Sequence, residues 1–275
     1  MARIVMNVFE WVVQSERVSK NDWQTVSKLT DQFGHFYCLK QQHSGPTDAL
    51  AKEANSLRRL DEAGVRVPRI IDQNEEFLLT AWVDGGQATL QSEAFASELI
   101  KMHLHEANDY GLEEDHYIGR VEQPNGTYDS WICFFREKRL LVQKQLLVRA
   151  NKLSEKQVVQ LGRLSDRLSD LIDEPASPRL LHGDLWSGNW VYDGDGLPYL
   201  IDPCSFYGDP AYDVAMIQLF GEFPEDGWAL YKEAIGAPSA SAIDVYQLYF
   251  LLVHVMMFGE MYVPAVNRIL NKYGN

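Results

Sequence analysis

Along the first eighty positions, apolar and polar residues fall into short β-prone runs interrupted by one helical stretch. Val12-Val13, Thr25 to Leu29 and His35 to Lys40 have strand character, and Asp31-Gln32-Phe33-Gly34 supplies the turn before the last of them. A helix is expected from about Thr47 to Ala63, stopped by Gly64 and Pro68. A further strand, Phe77 to Val83, ends at Asp84-Gly85-Gly86, and beyond it the pattern turns mostly helical. The double glycine is therefore the expected joint between two units, residues 1–83 and 84–275. The most hydrophobic stretch, Tyr246 to Phe258, is too short for a membrane span and carries His254, so a buried helix is expected there.

One hairpin breaks the helical pattern. Trp190 to Tyr192 and Leu197 to Ile201 flank Asp193-Gly194-Asp195-Gly196, whose Asp-Gly pairs favour the positive φ of tight turns. The hairpin joins two motifs: His182 to Asn189, reading HGDLWSGN, and Ile201-Asp202-Pro203. Asp184, Asn189 and Asp202 have the spacing by which kinase-type phosphotransferases hold magnesium-ATP against an acceptor hydroxyl. That chemistry needs three different oxygens. Asp184 would accept or orient the acceptor's proton, Asn189 would offer magnesium a neutral amide oxygen, and Asp202 would bring the full charge that fixes the metal between phosphates. A hairpin returns the chain, so Asp202 is delivered back beside Asn189.

Two further carboxylates stand on apolar helix faces. Leu50, Glu53, Ala54 and Leu57 lie at i, i+3, i+4 and i+7, and a carboxylate on such a face needs a partner; Lys40, at the end of an apolar strand, is the obvious one. In kinases a lysine so placed reaches the α- and β-phosphates while a helix glutamate steadies it. Asp213 repeats the pattern with Met216, Ile217 and Phe220, and a helix cap after Gly208-Asp209-Pro210 is the competing explanation. The stretch Ser15 to Trp23 has no glycine where a nucleotide-covering G-x-G-x-x-G would be expected. Either Ser19 or Lys20 contacts the phosphates, or the loop orders only when ATP arrives. His103 and His105, at i and i+2, lie on different helix faces and make no metal pair; His105 is expected to cap or pack at a helix end. Walker A and G-x-S-x-G sequences are absent, which excludes P-loop and serine-hydrolase readings.

HGDLWSGN, together with the run from Ile201 to Pro224, resembles the fructosamine kinase family, within the aminoglycoside phosphotransferase and choline kinase group. Trp131-Ile132-Cys133-Phe134-Phe135-Arg136-Glu137-Lys138-Arg139-Leu140, Tyr117-Ile118-Gly119 and Gln123-Pro124-Asn125 are similar to further segments of that family, so the likeness runs from about residue 30 to about residue 230. The resemblance implies an α+β, two-lobed protein kinase-like fold with a small β-rich lobe and a larger helical one. It implies ATP and Mg2+ as cofactors and a ketosamine acceptor, small or protein-bound. It also assigns Asp184, His182 and Asp213 to the catalytic loop and its support, Lys40, Glu53 and Ala81-Trp82-Val83 to the nucleotide, and Asn189 and Asp202 to the metal. Trp186 would either wall the acceptor pocket or simply pack. Glu222, Glu225 and Asp226 would either attract an amine or form a solvated acidic loop. A kinase for another small hydroxylated amine, or a non-catalytic ATP-binding regulator, are the alternatives.

Charge and cysteines narrow the partners. With 25 Lys and Arg against 39 Asp and Glu the chain carries a formal charge of −14, which argues against nucleic acid or anionic membrane and is compatible with a cationic acceptor. Such a charge is equally ordinary for a soluble cytoplasmic protein. Cys38, Cys133 and Cys204 form no C-x-x-C pair and fit reduced thiols of the cytosol. The start MARIVMNVFEWVVQ, with an early glutamate, does not read as a signal peptide.

Overall fold

The computed structural model describes residues 11–85, 91–221, 223 and 225–275. The expectations on residues 1–10, Gly86 and Glu222 lie outside the described residues. The amino-terminal lobe contains β1 (Val12–Lys20), β2 (Gln24–Asp31), β3 (Phe36–Gln42), α1 (Ala49–Glu62), β4 (Ile70–Gln73) and β5 (Phe77–Ala81). Its strands form one antiparallel sheet in the order β1-β2-β3-β5-β4. Adjacent residues of a strand point to opposite faces, and β5 uses both. Leu79 joins Leu29 and Leu39 on one face, while Leu78 meets Leu50, Ala54 and Leu57 of α1 on the other. This sandwich fixes α1 over the strand that carries Lys40.

Two departures from the sequence pattern concern this lobe. Ser15 to Lys20, read as a loop, are strand residues paired to β2, and the connection shrinks to Asn21-Asp22-Trp23. Asn21 closes it without glycine: its Oδ1 accepts the N–H groups of Trp23 at 3.0 Å and Gln24 at 2.8 Å. The four-residue edge strand β4 had no periodic signal of its own and takes its order from β5.

The larger lobe begins with α2 (Ser92–Leu104) and the short strands β6 (Tyr110–Leu112), β7 (His116–Ile118), β8 (Val121–Gln123) and β9 (Gly126–Tyr128). Then α3 (Trp131–Phe134) runs through a π-helical turn, Phe135–Leu140, into α4 (Leu141–Arg149), followed by α5 (Glu155–Asp166). The segment around the HGDLWSGN motif contributes β10 (Arg179–Leu181), β11 (Trp190–Tyr192), β12 (Pro198–Leu200) and β13 (Phe206–Gly208). Helices α6 (Ala211–Phe220), α7 (Glu225–Ala234), α8 (Ala240–Phe258) and α9 (Val263–Tyr273) complete the chain. The lobe is less purely helical than its pattern suggested, because β10, β13, β6 and β9 form a sheet. Three-residue strands are too short to show a period of two, which is why they escape a reading by periodicity.

Trp131 sits at the centre of the lobe's core, stacked with Phe134, Phe135 and Phe206, and its indole N–H donates to the Tyr246 hydroxyl at 2.7 Å. Arg139, only 1% exposed, lies between the rings of Phe134 and Phe206. Its guanidinium donates to the Pro124 carbonyl at 2.7 Å and to Asn125 Oδ1 at 2.8 Å. The aromatic run and the Gln-Pro-Asn stretch are therefore one packing unit, because a buried guanidinium must have its donors met. Helix α8 is longer than its most hydrophobic run: with 19 residues it is long and apolar enough to cross a membrane, yet 56% of that window is buried within the protein. It packs against α6 and α9 as a core helix.

Candidate active site

The segment from β10 to β13 is built so that backbone groups hold the reactive side chains. Gly183 has φ +87°, and a Cβ there would lie 2.3 Å from the Cys204 carbonyl oxygen, so only glycine fits this turn. Asp213, wholly buried on α6, accepts the N–H of His182 at 2.7 Å on one oxygen and that of Gly183 at 3.0 Å on the other. It does not cap its helix. Asp209, just ahead of the helix, accepts Ala211 N–H at 2.9 Å. The His182 ring is equally committed: Nε2 meets the Ile201 carbonyl at 2.9 Å and Nδ1 accepts Asp184 N–H at 3.3 Å. A carbonyl only accepts, so Nε2 carries the proton, and burial keeps the ring's pKa below the usual histidine value. The histidine thereby links the two motifs of the catalytic segment.

The hairpin closes as its ends require. Trp190 faces Leu200 in the β11–β12 ladder, and Ile201 N–H donates to the Asn189 carbonyl at 3.0 Å, which seats Asp202 beside Asn189. The turn is built on the Asp193 side chain, which accepts the N–H groups of Asp195 and Leu197, both at 3.0 Å. Of its two glycines only Gly196 uses positive φ, +78°. Asn189 Nδ2 donates to the Asp184 carbonyl at 2.7 Å and to its carboxylate at 3.0 Å, so the amide oxygen is left over. Asp202 takes φ +56°, a left-handed conformation that aspartate tolerates better than most side chains.

Charge is concentrated where the lobes meet. Lys40 Nζ bonds Glu53 Oε1 at 2.6 Å and also Asp202 Oδ1. Burial alone would favour the neutral amine, but Asp202 and Glu53 outweigh it and hold the Lys40 pKa above the ordinary lysine value. Glu53 is pushed up to about 7, mainly by burial and against the pull of Lys40. Asp184 is raised well above the usual carboxylate range by burial first and by the neighbouring Asp202 second. Helix α1 is tied across the cleft as well: Arg59 Nη1 donates to Ser205 Oγ at 2.7 Å, and Ser56 Oγ accepts Ser205 N–H at 3.1 Å. Ser56 Oγ also meets His116 Nε2 at 3.0 Å.

Two cavities, each of about 340 Å³, adjoin here and share Ser19, Val26, Glu53 and Asp202. The first is lined by Lys40, Leu78, Ala81, Trp82, Val83 and Val191 among others. The second takes in Asp184, Trp186, Asn189, Tyr117, His254 and Phe258. Trp186, 41% exposed, stands on the wall of the second, and Lys20 lines neither. Glu225 and Asp226 open α7 as exposed residues away from both. Among the described residues no three His, Cys, Asp or Glu side chains converge to hold a metal by themselves. The donor set of Asn189 and Asp202 still fits magnesium, which usually takes one or two protein carboxylates and completes its shell with water and phosphate oxygens.

Sequence reasoning missed His103. The ring bridges Tyr231 OH at 2.7 Å and Asp213 at 3.3 Å, steadying the carboxylate that holds the catalytic turn. The signal was available: His103 shares with Ala96 and Leu99 the same buried spacing that marked Glu53. His105 caps α2, and its ring stacks with Tyr207.

The sequence profile of the fructosamine kinase family matches residues 7–275. A probable ketoamine kinase of Lactiplantibacillus plantarum is 35% identical over 246 residues, covering 87% of each chain. A Thermobifida fusca protein assigned as a fructosamine-3-kinase superposes with a TM-score of 0.88 at 27% identity, over 94% of this chain and 93% of that one. An ADP-bound aminoglycoside phosphotransferase superposes with a TM-score of 0.66 at 16% identity, over 96% and 94% of the two chains, a likeness that carries the protein kinase-like fold alone.

Proposed function

Because the chain belongs to the fructosamine kinase family, we propose that it transfers the γ-phosphoryl group of ATP to a sugar hydroxyl of a ketosamine. It is a phosphotransferase with an alcohol group as acceptor, a kinase acting on ketoamines. The observation that carries the finer reading is the meeting of two cavities at Asp202, with Lys40 on one side and Asp184 on the other. Residues up to Val83 take most of the nucleotide, and those from Asp84 onward bind the acceptor. The amides of Ala81 and Trp82 are already bonded to the Arg69 and Phe36 carbonyls, so Val83 N–H is the donor left for adenine. Lys40, aimed by Glu53, neutralises phosphate charge. Asn189 and Asp202 would hold Mg2+, which would supply electrostatic stabilisation of the transferring group.

On the acceptor side Asp184 is held by Asn189 and takes the proton as the hydroxyl oxygen bonds to the γ-phosphorus. The bond from that phosphorus to the bridging oxygen breaks, and ADP leaves with the electron pair. Burial raises the basicity of Asp184. His182 and Asp213 act as positioning residues, since their polar atoms are occupied by the loop itself. Trp186 walls the acceptor. The test is an ADP-release assay over fructose-, ribulose- and erythrulose-amines, with choline and an aminoglycoside as controls and with magnesium titrated from zero. Turnover of a ketosamine that requires magnesium and exceeds both controls is expected; preference for a control refutes the acceptor class.

A further inference from the structure

The acceptor wall holds one polar group for which the reaction above has no use. His254 lies near the end of α8 and lines the acceptor cavity with Tyr117, Trp186 and Phe258. Its ring stacks on Phe220 with centroids 4.3 Å apart and meets Tyr262 edge-on at 5.0 Å, so its orientation is set from two sides. Nδ1 lies 2.8 Å from the Phe250 carbonyl oxygen, four residues back along the helix. A carbonyl only accepts, and Nδ1 therefore carries the proton. Burial keeps the pKa below the ordinary histidine value, so the ring is neutral and Nε2 bears a lone pair.

Among the described residues Nε2 has no hydrogen-bond partner, and it is not one of the polar atoms sealed from solvent. A fixed, neutral ring on a cavity wall with one open lone pair is arranged to receive a donor. At the reacting end Asn189 and Asp202 are committed to the metal, and the remaining group, the Asp184 carboxylate, is an acceptor too. Such a wall favours a molecule rich in O–H and N–H groups and disfavours one that offers a carboxylate or phosphate there.

We infer that His254 is a specificity-determining residue whose Nε2 accepts a hydrogen bond from an O–H or N–H of the acceptor, other than the hydroxyl that is phosphorylated. The inference rests on the ketosamine reading only for the identity of that donor, a second sugar hydroxyl or the amine. Loss of the bond weakens acceptor binding and leaves the phosphoryl-transfer step alone.

The test compares His254→Phe, which keeps a ring for the aromatic stack, with His254→Gln, which restores an accepting oxygen. His254→Phe should raise KM for the acceptor about tenfold, the effect of about 1.4 kcal/mol, within the range of one hydrogen bond. Its kcat, KM for ATP and Tm should stay near those of the parent, and His254→Gln should recover most of the loss. Mono-deoxy ketosamines then identify the donor: the analogue lacking it loses the same factor with the parent and nothing more with His254→Phe. If every mono-deoxy analogue still loses affinity on the substitution, the amine is the donor. An unchanged acceptor KM in His254→Phe overturns the inference, as does a general fall in kcat, ATP affinity and Tm together. A parent that phosphorylates only a different hydroxylated amine refutes the ketosamine reading, and the same comparison on that acceptor decides the role of His254. A parent inactive on every acceptor overturns both.

Discussion

The cleft is enclosed by two segments held by different means. The β1–β2 hairpin lines both cavities at Ser19 and Val26 and presents a strand whose residues after Val12 are exposed, tied down by a backbone ladder and by Asn21. The stretch from His182 to Ser205 is instead pinned by buried side chains, with Asp213, His103, His182 and Asn189 each spending their polar atoms on its backbone or on one another. The difference follows from the task. Proton acceptance and in-line attack tolerate displacements well under an ångström, so the groups concerned are over-determined. A cover for ATP has to admit and release it, and an exposed ladder opens locally without disturbing the core.

Four experiments test this contrast. The largest effect is expected from Asp184→Asn, which keeps the contact to Asn189 but takes no proton; turnover should fall by about 10²- to 10⁴-fold with ATP binding retained. Steady-state kinetics with nucleotide binding by calorimetry decide it, and loss of ATP affinity at unchanged turnover would show the role misassigned.

Next, Asp213→Asn leaves one of the two N–H groups facing an amide N–H instead of an oxygen. A buried donor left unmet costs about 1–3 kcal/mol, so thermal melting should drop by several degrees and kcat should fall more than the KM for ATP changes. An unchanged melting curve would mean that the segment does not depend on its buried ties.

A third measurement uses pH. His116, buried beside Ser56, has its pKa lowered to about 4 by burial, so it stays neutral in the fold while the unfolded chain takes up a proton below about 6.5. Stability should therefore fall as pH drops from about 6.5 to 4, by up to roughly 3 kcal/mol from this residue. His182 and His254 act in the same direction. Denaturant unfolding against pH should show a shallower slope for His116→Gln; an identical slope would remove His116 from the account.

The smallest effect is expected at the hairpin. Asn21→Ala removes two local bonds at an exposed turn, so melting should shift by no more than about 1 °C while amide exchange along β1 quickens. Global destabilisation comparable to that of Asp213→Asn would erase the distinction between the two segments.

The geometry of the segment from His182 to Pro203 was legible because its signals are local. Within 22 residues HGDLWSGN, the Asp-Gly turn and Ile-Asp-Pro specify identity, spacing and the return of the chain. Lys40 and Glu53 were legible for another reason: a carboxylate on an apolar helix face demands a partner, and the structure adds Asp202 to the pair. What stayed hidden is non-local or too short for periodicity. His103 meets Asp213 across 110 positions, and the strands of the larger lobe have three residues each. Asn21 was hidden because its side chain closes a short connection inside a stretch read as a longer loop.

The ties between α1 and Ser205 bear on regulation. In protein kinases the helix that steadies the phosphate lysine can swing out, and covalent signals act by controlling that position. Here an outward swing would break the links of Ser56 and Arg59 to Ser205 and part Lys40 from Glu53 in a poorly hydrated site, a penalty of several kcal/mol. Helix α1 is thereby held in the posture that keeps Lys40 paired.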